Sequence, residues 1–186
     1  RFVKPGRSCP RPLQIFKKIT ANMTWIGYLL ITLAAYAGME FMAWFTHKYL
    51  MHGWLWSWHE DHHKPKHEKE GFFEKNDRFF LVFAIPSMLC YMIGGLTTHF
   101  WVLFIGVGIS LYGLTYFLIH DVYIHQRFRW FRQLDSTYSR GILRAHGAHH
   151  AKTTKEDGES FGLLIVSPKY FKKRRTQQGD KSAGQA

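Results

Sequence analysis

The sequence is poor in cysteine, and its charge is absent from long stretches. Two cysteines stand among 186 residues. Cys9 and Cys90 lie far apart, Cys90 within an apolar run, which excludes a disulfide framework and a cysteine-rich zinc site. From Phe79 to Ile119 no Asp, Glu, Lys or Arg occurs in 41 residues. A single helix of that length would run about 60 Å, twice a hydrocarbon core, so the stretch is expected to fold back on itself. Gly94-Gly95 and Thr97-Thr98-His99 offer the turn. Acidic residues are missing from Arg1 to Lys18, which carries six basic ones. A signal peptide is not apparent either, because the first apolar run is too long and lacks a small-residue cleavage site.

The formal charge is +12, with 46% hydrophobic and 17% aromatic residues. Such a surplus suits nucleic acid, anionic lipid or an acidic protein, and the apolar content favours a membrane and argues against nucleic acid. Thr24 to Phe45 is long enough to span a bilayer and contains one charge, Glu40. An intramembrane carboxyl group is a functional candidate, and Glu40, seven residues before His47, is expected to support a histidine. In the second apolar stretch Pro86 is placed to kink the first arm. Gly106, Ser110 and Gly113 give the second arm a small-residue strip for close packing. GWLWSW, Gly53 to Trp58, reads as an interfacial tryptophan cluster. Lys64 to Arg78 reads as a solvated connection, and Gln126 to Arg144 as a basic, aromatic, interfacial segment. Ser160 to Val166 is apolar and suited to cover a site or form its mouth.

The expected fold class is an all-α integral membrane protein with three to four transmembrane helices. A basic segment, 1–23, precedes one membrane-embedded domain, 24–168, and a basic, disordered tail, 169–186, follows. Six Lys/Arg precede the first span and 19 follow it, out of 25; the positive-inside rule then places the later loops in the cytosol. With three spans this leaves the basic N-terminus outside, which calls for a further re-entrant or helical element.

The strongest signal is histidine. Ten of the chain's 12 fall into two copies of one pattern, H-x4-H followed by H-x2-H-H. The first copy is His47/His52 with His59/His62/His63, and the second is His120/His125 with His146/His149/His150. His67 and His99 match neither. Neutral imidazole binds Fe, Cu, Ni and Zn. On a helix, residues i, i+3 and i+4 share a face, so each H-x2-H-H box is expected to converge on one point. An i, i+5 pair diverges by about 140°, so H-x4-H requires a helix end, a π-bulge or two separate metals. Ten ligands exceed the capacity of one ion and fit two, with four or five nitrogens each. Glu60 and Asp121 adjoin box histidines and are candidates to orient them.

The segments HKYLMH, WHEDHH, HDVYIHQRF and AHGAHH, followed by KEDGESFG, resemble bacterial-type β-carotene 3-hydroxylases of the membrane fatty acid hydroxylase superfamily. The resemblance runs from Gly38 to Pro168. It implies a non-haem centre of two Fe ions and an O2-dependent monooxygenase. β-Carotene would pass through β-cryptoxanthin to zeaxanthin, with electrons from reduced ferredoxin. The ten box histidines match the family's ten one by one. The substrate would come from the bilayer, with Tyr116 and Phe117 as candidate lining, and the site would face the cytosol or stroma. The basic surface could attract acidic ferredoxin or membrane lipids. Two other readings stay open: a fatty acyl or sterol hydroxylase or desaturase with similar boxes, and a non-enzymatic membrane metal-binding protein.

Overall fold

The structure is a computed structural model that describes residues 12–64, 72–130 and 133–172, with side chains from residue 24 onward. Most of the basic N-terminal stretch, Cys9, His67 and the tail beyond 172 lie outside the described residues. All regular elements among the described residues are helical. They are α1 (Pro12–Phe45), α2 (Trp56–His59), α3 (Leu81–Leu96), α4 (Trp101–Tyr116) and α5 (Thr137–His150), with π-helical segments at Thr46–Trp54 and Phe117–Ile124. Short 3-10 turns occupy Glu60–His63, Lys75–Phe80 and Pro168–Phe171.

Among the described residues, three stretches are long and apolar enough to cross a membrane: Thr24–Trp54, Lys75–Leu96 and Trp101–Ile124, of 31, 22 and 24 residues. At about 1.5 Å per residue even the shortest spans about 30 Å of hydrocarbon. Large apolar side chains such as Leu29, Leu30, Met88 and Leu114 are more than half exposed, an arrangement suited to lipid and not to water. α1 begins within the basic N-terminal segment. Pro12 starts it, where the fixed φ is favourable and the missing N–H is not needed.

The chain divides into two compact units. One comprises α1 up to Met39 together with Phe79–Thr115. α3 and α4 form the expected hairpin, but its turn is Thr97–Phe100, and Gly94 and Gly95 remain helical. Gly94 has a packing role instead, since a Cβ there would lie 2.6 Å from the Leu103 backbone nitrogen. Gly106 packs against Ser87 and Cys90, and Gly113 against Phe83, as the small-residue strip suggests. Gly108 completes the pattern by meeting α1, where a Cβ would stand 2.5 Å from the Thr32 carbonyl oxygen. Two polar contacts lock the same pair: the Thr32 hydroxyl donates to the Phe104 carbonyl at 3.2 Å, and the Tyr36 hydroxyl donates to Thr115 at 3.1 Å. Each satisfies a polar group in an apolar setting.

The second unit holds Glu40–Arg78 and the chain from Tyr116 onward. All ten box histidines fall in it.

Candidate metal centre

Local backbone geometry decides where each histidine goes. His47 and His52 lie in one π-helical segment, His120 in the other, and His125 caps the latter. An i→i+5 bond closes the wider turn directly across the second pair, from His125 N–H to the His120 carbonyl at 2.9 Å. A π-turn brings residue i+5 back over residue i, so a spacing that diverges on an α-helix converges here. Of the three solutions open to H-x4-H, the fold uses the π-helix.

The H-x2-H-H boxes behave differently from the expectation of one point per box. Ring nitrogens of His47, His52, His59 and His149 lie within 4.8 Å of one another, as do those of His62, His120, His125 and His146. Each box is therefore divided between two clusters. On α5 the reason is angular: relative to His146, positions i+3 and i+4 deviate by about 60° and 40° in opposite senses. In the first box, α2 gives way to a 3-10 turn after His59, which rotates His62 away from it. His63 joins the first cluster, its Nε2 3.1 Å from that of His59. The His150 ring lies among His146, His62 and His125, at 4.5, 4.8 and 5.0 Å between centroids, and stacks on His63 at 4.6 Å.

The ring nitrogens are oriented. Nδ1–H of His47, His52, His63 and His149 donates to the carbonyls of Phe161, Lys155, Lys152 and Glu159, at 2.8 to 3.2 Å. His59 donates to Asn76 Oδ1 at 2.7 Å and His62 to Glu74 Oε2 at 2.6 Å. A neutral imidazole has one ring proton, so each of these six rings turns a bare Nε2 lone pair inward. Lone pair then faces lone pair at 3.2 Å for His47 and His59, 3.1 Å for His59 and His63, and 3.3 Å for His52 and His149. Neither partner can donate, so the arrangement is repulsive unless a cation sits between them. This donor set fits a metal of borderline softness. In the second cluster, Nε2 atoms stand 3.1 Å apart for His62 and His120 and 2.8 Å apart for His125 and His146.

Burial keeps the rings neutral. It is the main cause that lowers His59 to about 2 and His149 to about 3, with neighbouring imidazoles adding to it. His62 and His146 are held well below the ordinary range for the same reason. In an unfolded chain each would titrate near 6.5. The folded state thus binds fewer protons, and stability present above about 6.5 is lost as pH falls toward 3, at about 1.4 kcal/mol per pH unit for each such group. Metal-free protein in detergent is expected to melt at progressively lower temperature from pH 7 to 4.5. A flat melting temperature across that range would contradict this burial.

Sequence reading missed several outer residues. Lys64 to Arg78, read as a solvated connection, supplies Glu74 and the buried Asn76 to the histidines. It also supplies Asp77, which with Asp121 takes a guanidinium: Arg127 Nη1 reaches Asp77 Oδ1 at 2.6 Å and Asp121 Oδ1 at 2.8 Å, and Nη2 reaches Asp77 Oδ2 at 2.8 Å. Arg127 is thus part of an ion cluster, although its segment reads as interfacial. The available signal was position, since Glu74, Asn76 and Asp77 stand directly before the chargeless stretch. Asp121 Oδ2 lies 3.5 Å from His120 Nδ1, close enough for electrostatic support and longer than a good hydrogen bond. Among the described residues, Glu60 makes no hydrogen bond or ion pair with a histidine.

Glu40 takes a different partner from the expected histidine. Its Oε1 accepts backbone N–H bonds from Leu163, Leu164 and Ile165, at 3.1, 2.9 and 2.9 Å. It thereby anchors the segment read as a cover for the site. Upstream in that segment, Phe161 packs its ring on His47, His52 and His149, 5.1 to 5.5 Å between centroids. Asp157 and Ser160 take left-handed backbone conformations, φ 60° and 61°, a departure that costs energy and bends the loop so that its carbonyls point inward. Of the tryptophans, Trp54 is 90% exposed, as an interfacial residue would be, but Trp56 packs on His52 and His63.

Tyr116 stacks on His120 at 4.8 Å and Phe117 meets Phe128 at 5.5 Å. A cavity of about 510 Å³ lies beside the second π-helical segment and α5, lined by Leu118, Ile119, Tyr123, Leu134, Tyr138 and Ile142 among others. Neither Tyr116 nor Phe117 lines it.

Residues 32–168 match the fatty acid hydroxylase family. The chain is 42% identical over 147 residues to the β-carotene hydroxylase of Pantoea ananas, covering 78% of this chain and 81% of that one. It is 43% identical over 140 residues to that of Pseudescherichia vulneris, covering 74% and 76%. With the chloroplastic β-carotene 3-hydroxylase 1 of Arabidopsis thaliana it shares 37% over 147 residues, 75% of this chain and 44% of the plant protein. No solved structure matches. The two-cluster histidine geometry lies within the matched span, and the chain belongs to the fatty acid hydroxylase family, alongside its β-carotene hydroxylases.

Proposed function

We propose that this protein hydroxylates C3 of the β-ionone rings of β-carotene, giving β-cryptoxanthin and then zeaxanthin. In this reading it is an O2-dependent monooxygenase whose ten box histidines hold two non-haem irons, and reduced ferredoxin supplies the electrons. The observation that carries the reading is the pair of histidine clusters with Nε2 lone pairs turned inward, in a chain so similar to named β-carotene hydroxylases. Two irons held by these histidines would supply the activation of O2.

The chain's own residues do the rest. His47, His52, His59, His63 and His149 form one ligand set, and His62, His120, His125, His146 and His150 the other. Outer acceptors fix the tautomer and direction of His47, His52, His59, His62, His63 and His149. Phe161 and the anchored segment behind it cover the first cluster and exclude water, which limits side reactions. The mostly apolar cavity beside the second π-helical segment suits a hydrocarbon ring, and apolar spans give a bilayer-dissolved substrate a dry approach. The surplus of Lys/Arg after the first span supports a cytosolic or stromal site and a surface for an acidic electron donor or anionic lipid.

Expression in cells that accumulate β-carotene, beside a His149→Ala variant, tests the proposal. Wild type is expected to yield β-cryptoxanthin and zeaxanthin, and His149→Ala neither. Membrane-located, iron-loaded protein that leaves β-carotene unchanged would overturn the carotenoid assignment and favour an acyl or sterol substrate.

A further inference from the structure

The two clusters differ in what stands behind their histidines. In the first, five Nδ1–H groups meet uncharged oxygens: the carbonyls of Lys152, Lys155, Glu159 and Phe161, and the Asn76 amide. In the second, His62 meets the Glu74 carboxylate at 2.6 Å and His120 lies 3.5 Å from that of Asp121. These carboxylates are not equivalent either. Asp121 is 17% exposed and bound by Arg127, and the Glu74 side chain is 9% exposed and bonded at 2.6 Å to an imidazole that is 3% exposed.

A carboxylate on Nδ1 pulls the ring toward imidazolate and makes Nε2 a stronger donor, and an amide or carbonyl does so much less. Low dielectric around a buried pair strengthens the effect. We infer that Glu74 is a positioning residue that makes the two metal sites inequivalent. Acting through His62, it makes the site of His62, His120, His125 and His146 the more electron-rich and the harder to reduce. The inference rests on the reading of both clusters as iron sites.

The test uses full-length protein in detergent, loaded with 57Fe and studied by Mössbauer spectroscopy and reductive titration. Glu74→Gln keeps an oxygen acceptor of similar shape and removes the charge. Asn76→Asp does the reverse at the first cluster. Wild type is expected to give two resolved iron environments that reduce in separate steps. In Glu74→Gln one environment shifts and its step moves to higher potential, while the other stays. In Asn76→Asp the other one shifts. Iron affinity at the affected site in Glu74→Gln should fall by about 10–100-fold. If Glu74→Gln holds no iron, Asn76→Asp still decides: a shift in the harder-to-reduce environment, or none, overturns the inference. So does a Glu74→Gln spectrum superimposable on wild type, or an equal shift of both environments. Wild type that binds no iron sinks the iron reading itself, a different failure.

Discussion

Glu40→Ala is expected to unseat Leu163–Ile165 and, with it, the loop behind the first histidine cluster. One carboxyl oxygen receives three backbone N–H groups, and Leu163 and Glu40 are both buried. A buried donor left without its acceptor costs about 1–3 kcal/mol, which applies in full to Leu163, while the part-buried N–H groups of Leu164 and Ile165 add less, and the loop is expected to open. The carbonyls of Lys152, Lys155, Glu159 and Phe161 orient four of the five rings of that cluster. Metal retention should therefore fall together with loop order. Glu40→Gln retains an accepting oxygen and should keep most of both. Hydrogen exchange at the amides of 163–165 and iron content, measured on both variants, check this. Unaltered protection in Glu40→Ala would rule out the anchor, and equal loss in both variants would favour a role for charge.

Arg127→Ala should destabilise the histidine-bearing unit by about 1–3 kcal/mol, between an exposed and a buried ion pair, because the three side chains are 14 to 28% exposed. The guanidinium takes Asp77 with both of its terminal nitrogens and Asp121 with one, and lies 4.9 Å from the centre of the Phe72 ring. Its removal leaves two carboxylates without their shared cation, one beside His120 and one beside the turn that carries Glu74 and Asn76. Arg127→Lys keeps the charge and loses the bidentate fork, and should fall between wild type and Arg127→Ala. Thermal melting in detergent reads the order. A melting temperature for Arg127→Ala within a degree of wild type would show that solvent screens the cluster.

Much of this molecule is legible in its sequence because the signals are periodic or compositional. The chargeless stretch from Phe79 to Ile119 fixes a hairpin by length alone, and the duplicated histidine spacing identifies the site. Residues whose role depends on tertiary placement are harder to read. Glu74, Asn76 and Arg127 lie in segments that look like ordinary solvated or interfacial chain, and become supports only once brought to the histidines. Glu40 stands out as a lone charge in an apolar helix, yet its partner is backbone, which carries no sequence signature. The sharing of each H-x2-H-H box between clusters depends on a change from α to 3-10 geometry after His59 and on the roughly 100° that separates His149 from His150 on α5.

The reliance of the first cluster on carbonyls has an evolutionary consequence. A carbonyl belongs to every residue, so substitution at Lys152, Lys155 or Glu159 leaves the acceptor in place, whereas inserting or deleting one residue between Lys152 and Phe161 moves several acceptors at once. Those three positions are therefore free to drift in composition, while the loop is held to its length. The second cluster, which depends on the Glu74 side chain, is constrained in the opposite way: in identity more than in spacing.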